Sequence, residues 1–140
     1  MKPEIWGSNA WVFIHAIALE YPENPTENEK YEYYTFFKSL GPILPCANCK
    51  NNYKRHFDEN PLTYKELESR VTLFRWSVNL HNAVSKDLGK KQYTYQEALD
   101  IFKERVNPKS NWMSNAVIVI LLILALVICY YLFVSPEPLF

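Results

Sequence analysis

The chain has little covalent reinforcement: three cysteines in 140 residues, too few for the stapled framework of a small secreted protein. It lacks net charge as well. Fifteen Lys and Arg balance fifteen Asp and Glu, and the pI is near 6.8, so no basic patch argues for nucleic acid as a partner. The N-terminal stretch Met1-Lys2-Pro3-Glu4-Ile5-Trp6 has no apolar signal-peptide core. No segment alternates apolar and polar residues long enough to make a strand, and there are no internal repeats or low-complexity linkers. Aromatic residues, by contrast, are plentiful at 16%, with four Trp and ten Tyr. They suit either a dense small core or a pocket for a large planar ligand.

The pattern is helical throughout. Pro3 sits where a helix can begin, and Ile5 to Glu20 reads as a helix, apolar nearly all round between Trp11 and Leu19 and so expected centrally in the core. Tyr21-Pro22-Glu23-Asn24-Pro25 stops it. Thr26-x-x-Glu29 is a capping box for a second helix to about Leu40, after which Pro42 and Pro45 break the chain. A third helix is expected from Cys46 to about Asp58. Thr63-x-x-Glu66 opens a long fourth helix to about Leu88, with Leu67, Val71, Phe74, Val78, His81, Ser85 and Leu88 along one packed stripe. Gly89 stops it, and Thr94-x-x-Glu97 caps a last short helix to about Arg105. The fold class is all-α: a four- to five-helix bundle over residues 1–108.

A different solvent is expected for the rest. Ala116 to Val134 is uninterrupted and uncharged, and as helix it spans roughly 28 Å at ~1.5 Å per residue, close to a hydrocarbon core of ~30 Å. Residues 112–134 therefore read as one C-terminal transmembrane helix, with Trp112 and Tyr130, Tyr131 at its two interfaces and 135–140 as a short tail. Cys129, within the span, reads as a packing residue. Lys103, Arg105 and Lys109 precede the run and no basic residue follows it, so the positive-inside rule places the globular part in the cytosol.

Chemistry centres on Pro45-Cys46-Ala47-Asn48-Cys49. A C-x-x-C can supply half of a zinc site or close into a disulfide that exchanges with other thiols. Pro45 holds Leu44 extended, and the helix that follows places Cys46 at its first turn. There the unpaired N–H groups favour the thiolate. Cys49, one turn on, is expected deeper, so that one sulfur is exposed and one sheltered.

Two histidines interrupt apolar faces, His15 one turn after Trp11 and His81 just before Asn82, whereas His56 falls on a polar face and reads as surface. Zinc would need an H-x₃₋₅-H spacing that is missing, and a thioredoxin-like site would need a preceding strand. A helical bundle with a redox pair and an aromatic, His and Asn lining fits a flavin, which takes two electrons from a dithiol and passes them to oxygen.

Trp6-Gly7, Trp11-x-x-x-His15, Tyr21-Pro22, Pro45-Cys46-x-x-Cys49, Trp76, His81-Asn82-x-Val84 and Leu88-Gly89-Lys90 together resemble the Erv/Alr family of FAD-linked sulfhydryl oxidases, in order from about Pro3 to Arg105. The resemblance implies a bundle around FAD, with Cys49 as the flavin-facing sulfur and Cys46 exchanging with substrate. It implies cofactor contacts from Gly7, Trp11, His15, Cys49, His81, Asn82, Val84 and Ser85, with Lys90 neutralising the phosphates, and no metal. It further implies oxidation of a protein dithiol or a thioredoxin-like substrate, reduction of molecular oxygen to hydrogen peroxide, and a homodimer. Ser85 stands where the family commonly has Asn, which weakens or removes one adenine contact. No distal cysteine pair and no structural disulfides accompany the core. Such a minimal core with a membrane tail is most similar to the versions of large DNA viruses that replicate in the cytoplasm, on a host or virion membrane. The alternative is a membrane-tethered, non-catalytic module that uses Cys46 and Cys49 to dock a metal or a partner.

Overall fold

A computed structural model describes residues 1–108 and 112–133, with side chains described to 108 and from 116 to 132. The chain divides into two units, Met1–Val106 and Asn107–Phe140. The first consists of five helices: α1 (Pro3–Leu19), α2 (Glu27–Ile43), α3 (Ala47–Glu59), α4 (Arg70–Asp87) and α5 (Tyr95–Val106). α1 packs on α4, α2 on α3, α3 on α4, and α5 on α4. No strand occurs among the described residues.

The caps explain most of the boundaries. Pro3 occupies the first turn of α1, where its missing N–H costs nothing. Thr26 and Glu29 form the reciprocal capping box of α2. The helix runs one turn further than expected, because Pro42 lies inside its last turn rather than ending it. Leu44, extended at φ −54° and ψ 137°, ends it instead, as the residue before Pro45 must. The Thr63–Glu66 box forms too (Thr63 N–H donates to Glu66 at 3.0 Å), but it closes only a single turn. α4 starts later, at a second box between Ser69 and Thr72. It ends on Gly89 at φ +63°, where Gly89 N–H reaches Lys86 O at 3.1 Å and Lys90 N–H reaches Ser85 O at 2.8 Å. This is the paired left-handed turn that glycine makes cheaply.

α4, not α1, is the central helix. It buries Leu73, Phe74, Trp76, Ser77, Val78, Leu80 and Ser85. α1 buries only Ile14, His15 and Ala18, and Phe13 is 57% exposed. The reason is that α1 packs chiefly on α4 alone, so one stripe of an apolar helix is covered. Of the expected α4 stripe, Leu67 is buried but precedes the helix, and Val71 and Leu88, at its two ends, face outward.

Three large buried rings in this core end on backbone carbonyls. Tyr21 Oη donates to Leu67 O at 2.9 Å, Tyr53 Oη to Phe37 O at 2.8 Å, and Trp76 Nε1 to Asn60 O at 2.9 Å. Each buries a large ring with its polar end satisfied. Gly41 allows α2 and α3 to meet closely: a Cβ there would lie 2.9 Å from Tyr53 Cδ1.

The second unit contains α6 (Trp112–Phe133). Val134 and the 135–140 tail lie outside the described residues, as does Lys109. Among the described residues no helix is long and apolar enough to cross a membrane. α6 has described side chains only from Ala116 to Leu132, just short of the roughly 18–20 apolar residues a span requires.

Candidate functional site

Cys46 is the N-cap of α3 rather than a residue of its first turn. Its Sγ accepts the backbone N–H of Cys49 at 3.3 Å, and the two cysteines are joined as a disulfide with Cα atoms 5.1 Å apart. The bond uses both sulfurs, which leaves no thiolate pair for a zinc half-site. Both residues are half-buried.

α1 and α4 bring Trp11, His15 and His81 together. The indole of Trp11 stacks on the His81 imidazole with centroids 4.1 Å apart and planes 8° from parallel. His15 Nε2 lies 3.0 Å from His81 Nδ1, and His15 Nδ1 lies 2.9 Å from Ser77 Oγ. Burial first, and then the neighbouring His81, push the His15 imidazole down to about 4. Burial and the Lys90 ammonium push His81 down to about 4 as well. Both rings are therefore neutral at physiological pH.

The other expected site residues separate into three groups. Gly7 lies on the same stripe of α1 as Trp11, and a Cβ there would meet nothing within 4 Å. Packing within the chain gives no reason for a helix-weakening glycine at this position, which leaves room for an outside group. Val84 is half-buried, and Ser85 is buried where its carbonyl receives the Lys90 N–H. That turn fixes Lys90 near His81. Asn82 behaves differently. Its amide donates to Tyr93 O at 2.8 Å and its oxygen accepts the Tyr93 N–H at 2.9 Å. The carboxamide thus clamps the α4–α5 loop instead of facing an open pocket.

His56 corrects the sequence expectation. It is buried, not on the surface, because α3 turns this face onto α4. His56 Nε2 lies 2.8 Å from Asp87 Oδ2, which Arg55 also contacts, and Glu59 Oε2 lies 3.4 Å from its Nδ1. The guanidinium of Arg55, then His56, holds the Asp87 carboxyl below the usual carboxylate range. Ser77 is not among the expected site residues, although it lies one turn before His81 on the buried face. Trp6 belongs to the expected pattern only as a motif residue, yet its Nε1 is buried without a partner among the described residues.

A flavin nucleotide fits this donor set. The stacked Trp11–His81 pair is in mutual contact, so it offers one composite aromatic face rather than a slot. Gly7 provides space, Lys90 a cation for phosphates, and Trp6 an unused N–H donor. Among the described residues no cluster of His, Cys, Asp and Glu suits a metal ion.

Comparison with known proteins agrees. The Erv1 / Alr family model matches residues 8–107. A probable FAD-linked sulfhydryl oxidase of Acanthamoeba polyphaga mimivirus is 45% identical over 82% of this chain and 80% of its own length. The FAD-linked sulfhydryl oxidase of African swine fever virus is 29% identical over 72% of the chain and 82% of its own length. The yeast mitochondrial FAD-linked sulfhydryl oxidase is 33% identical over 62% of the chain but only 44% of its own length. The crystal structure of the yeast Erv1 core has a TM-score of 0.64 at 28% identity, covering 78% of this chain and 86% of that one.

Proposed function

Because the chain belongs to the Erv1 / Alr family, we propose that it is an FAD-linked thiol oxidase that forms disulfides in protein dithiols. The observation that carries this reading is the Cys46–Cys49 disulfide capping α3. A substrate thiolate attacks Cys46 Sγ, forms a mixed disulfide and releases Cys49 as thiolate. The second substrate thiolate then attacks the substrate sulfur of that mixed disulfide. The substrate disulfide closes, Cys46 leaves as thiolate, and the pair has gained two electrons. Charge on Cys46 is stabilised by the Cys49 N–H and by the positive end of α3. Gly7, Trp11, His15, His81, Val84, Ser85 and Lys90 would hold FAD, with Asn82 fixing the loop that follows α4. When bound, FAD would supply a two-electron acceptor for the reduced pair and the link to molecular oxygen, whose two-electron product is hydrogen peroxide.

The reading extends to a single-pass anchor. α6 carries no Asp, Glu, Lys or Arg, and its described side chains from Val117 to Leu132 are exposed on every face. A helix that is apolar all round suits lipid. Lys103, Arg105 and Lys109 before it favour a cytosolic catalytic domain on a host or virion membrane. The substrate there is a protein dithiol or a thioredoxin-like protein, in a compartment where disulfides need a dedicated oxidant. Two copies pair as a homodimer, for which the exposed Phe13 side of α1 offers apolar surface.

The purified chain is expected to be yellow and to consume oxygen with a dithiol. Cys46→Ser and Cys49→Ser are both expected to abolish turnover while FAD stays bound. Turnover in either variant, or colourless protein with stoichiometric zinc, sinks the assignment. Protease added to intact vesicles is expected to digest residues 1–108; their protection would place the domain on the other side.

A further inference from the structure

The hydrogen bonds that join the two imidazoles run in one direction, and Ser77 sets it. Ser77 is fully buried on α4, one turn before His81. A hydroxyl has a single proton, and Ser77 donates it to the carbonyl of Phe74 at 2.7 Å. Only lone pairs remain to meet His15 Nδ1 at 2.9 Å, so Nδ1 of His15 carries a proton. His15 is neutral at physiological pH, which leaves its Nε2 bare. His81 Nδ1 faces that bare nitrogen at 3.0 Å and must donate. His81 is neutral too, so its own Nε2 is bare. That atom makes no hydrogen bond to the described residues and is not sealed in the core, so it is accessible to a ligand.

Resting on the flavin reading above, we propose that Ser77 is a positioning residue. It holds His15 and His81 as Nδ1–H tautomers, so that His81 Nε2 stands as an acceptor for a donor group of the bound flavin nucleotide. The reverse arrangement would need Ser77 to turn its proton away from the Phe74 carbonyl. His81 would then present an N–H and favour a ligand acceptor instead. Because a buried donor or acceptor facing its own kind costs its full desolvation, the direction of this chain selects what binds. Ser77 acts on the ligand only at a distance, through His15 and then through His81.

The test uses the full chain in detergent, labelled with ¹⁵N-histidine and loaded with FAD. Two-bond ¹H–¹⁵N correlations distinguish the tautomers. The expected wild-type spectrum has both His15 and His81 protonated at Nδ1. Ser77→Ala, which removes the acceptor, is expected to lose that pattern and to weaken FAD binding about tenfold, with helicity by circular dichroism retained. Ser77→Thr keeps a hydroxyl and is expected to restore both the pattern and the affinity. FAD bound with His81 protonated at Nε2 overturns this inference alone, and the wild-type spectrum decides that even if Ser77→Ala fails to fold. The inference is likewise overturned if Ser77→Ala keeps both tautomers and full affinity. A wild-type chain that binds no FAD overturns the thiol oxidase reading, and this inference with it.

Discussion

The molecule buries histidines in two places, and the two environments are opposites. Between α1 and α4, His15 and His81 face each other, Ser77 and the ring of Trp11, with Lys90 the nearby charge. No carboxylate compensates a proton there, so burial keeps both rings neutral. Between α3 and α4, His56 is as deeply buried but lies against Asp87 and Glu59, with Arg55 sharing the Asp87 oxygen. The first arrangement is costly to charge and joins α1 to α4 through neutral groups. The second is a charged tie between α3, which the cysteine pair opens, and α4. Burial alone does not identify a functional histidine. What faces it does.

Acid should break this contrast with the largest effect. The folded-state values of His15 and His81, about 4, lie below the ordinary 6.5. Between those limits the unfolded chain binds more protons, so stability is full above pH 6.5 and falls as pH drops towards 4. The loss is on the order of 3 kcal/mol per imidazole, to be read from urea unfolding of flavin-free full chain across that window. A flat profile would mean the two rings are hydrated.

His56→Ala should come next, costing about 2 kcal/mol through a cavity and an Asp87 left without its ring partner. The flavin-to-protein ratio should stay at the wild-type value, measured by absorbance after gel filtration. If flavin is lost in proportion to stability, the tie belongs to the pocket after all. His81→Ala inverts that outcome. Flavin retention should fall about tenfold, equivalent to about 1.4 kcal/mol, with a smaller change in helicity. An apo variant less stable than apo wild type by more than this would make His81 a core residue. The smallest effect is expected at Gly89→Ala, about 1 kcal/mol for an alanine held at a left-handed φ. It should also relax the depression of His81, because the turn places Lys90; a chemical-shift titration of His81 reads this directly.

Much of this was legible in the residues themselves, and the reason is locality. Thr26 with Glu29, Thr94 with Glu97, and Gly89 act within one turn, so their types and spacing dictate the helix ends they make. Cys46 and Cys49 are likewise three apart, and a C-x-x-C at a helix start can pair without help from the rest of the fold. The apolar length of 112–134 is a property of composition alone. Trp11 and His15 share a stripe by helical periodicity, which is why their proximity could be anticipated from a single helix.

The remainder depended on packing between distant segments. His56 has charged neighbours at Arg55, Asp58 and Glu59, and its own helix gives no sign that it is covered. Asp87, 31 positions away, only becomes its partner when α3 docks on α4. The Asn82 amide bonds the backbone of Tyr93, eleven positions on, a partner that the His81-Asn82-x-Val84 motif does not reveal. The Thr63 box formed but did not start the long helix, since Ser69 and Thr72 offered a competing cap closer to the buried stripe. Sequence by itself determined the number of helices, most of their caps, the cysteine pair and the apolar C-terminal run, because each is set by contacts within a few residues. Only the tertiary structure decided which histidines are neutral and which is tied to carboxylates, because those are set by what another helix brings to the same few ångströms.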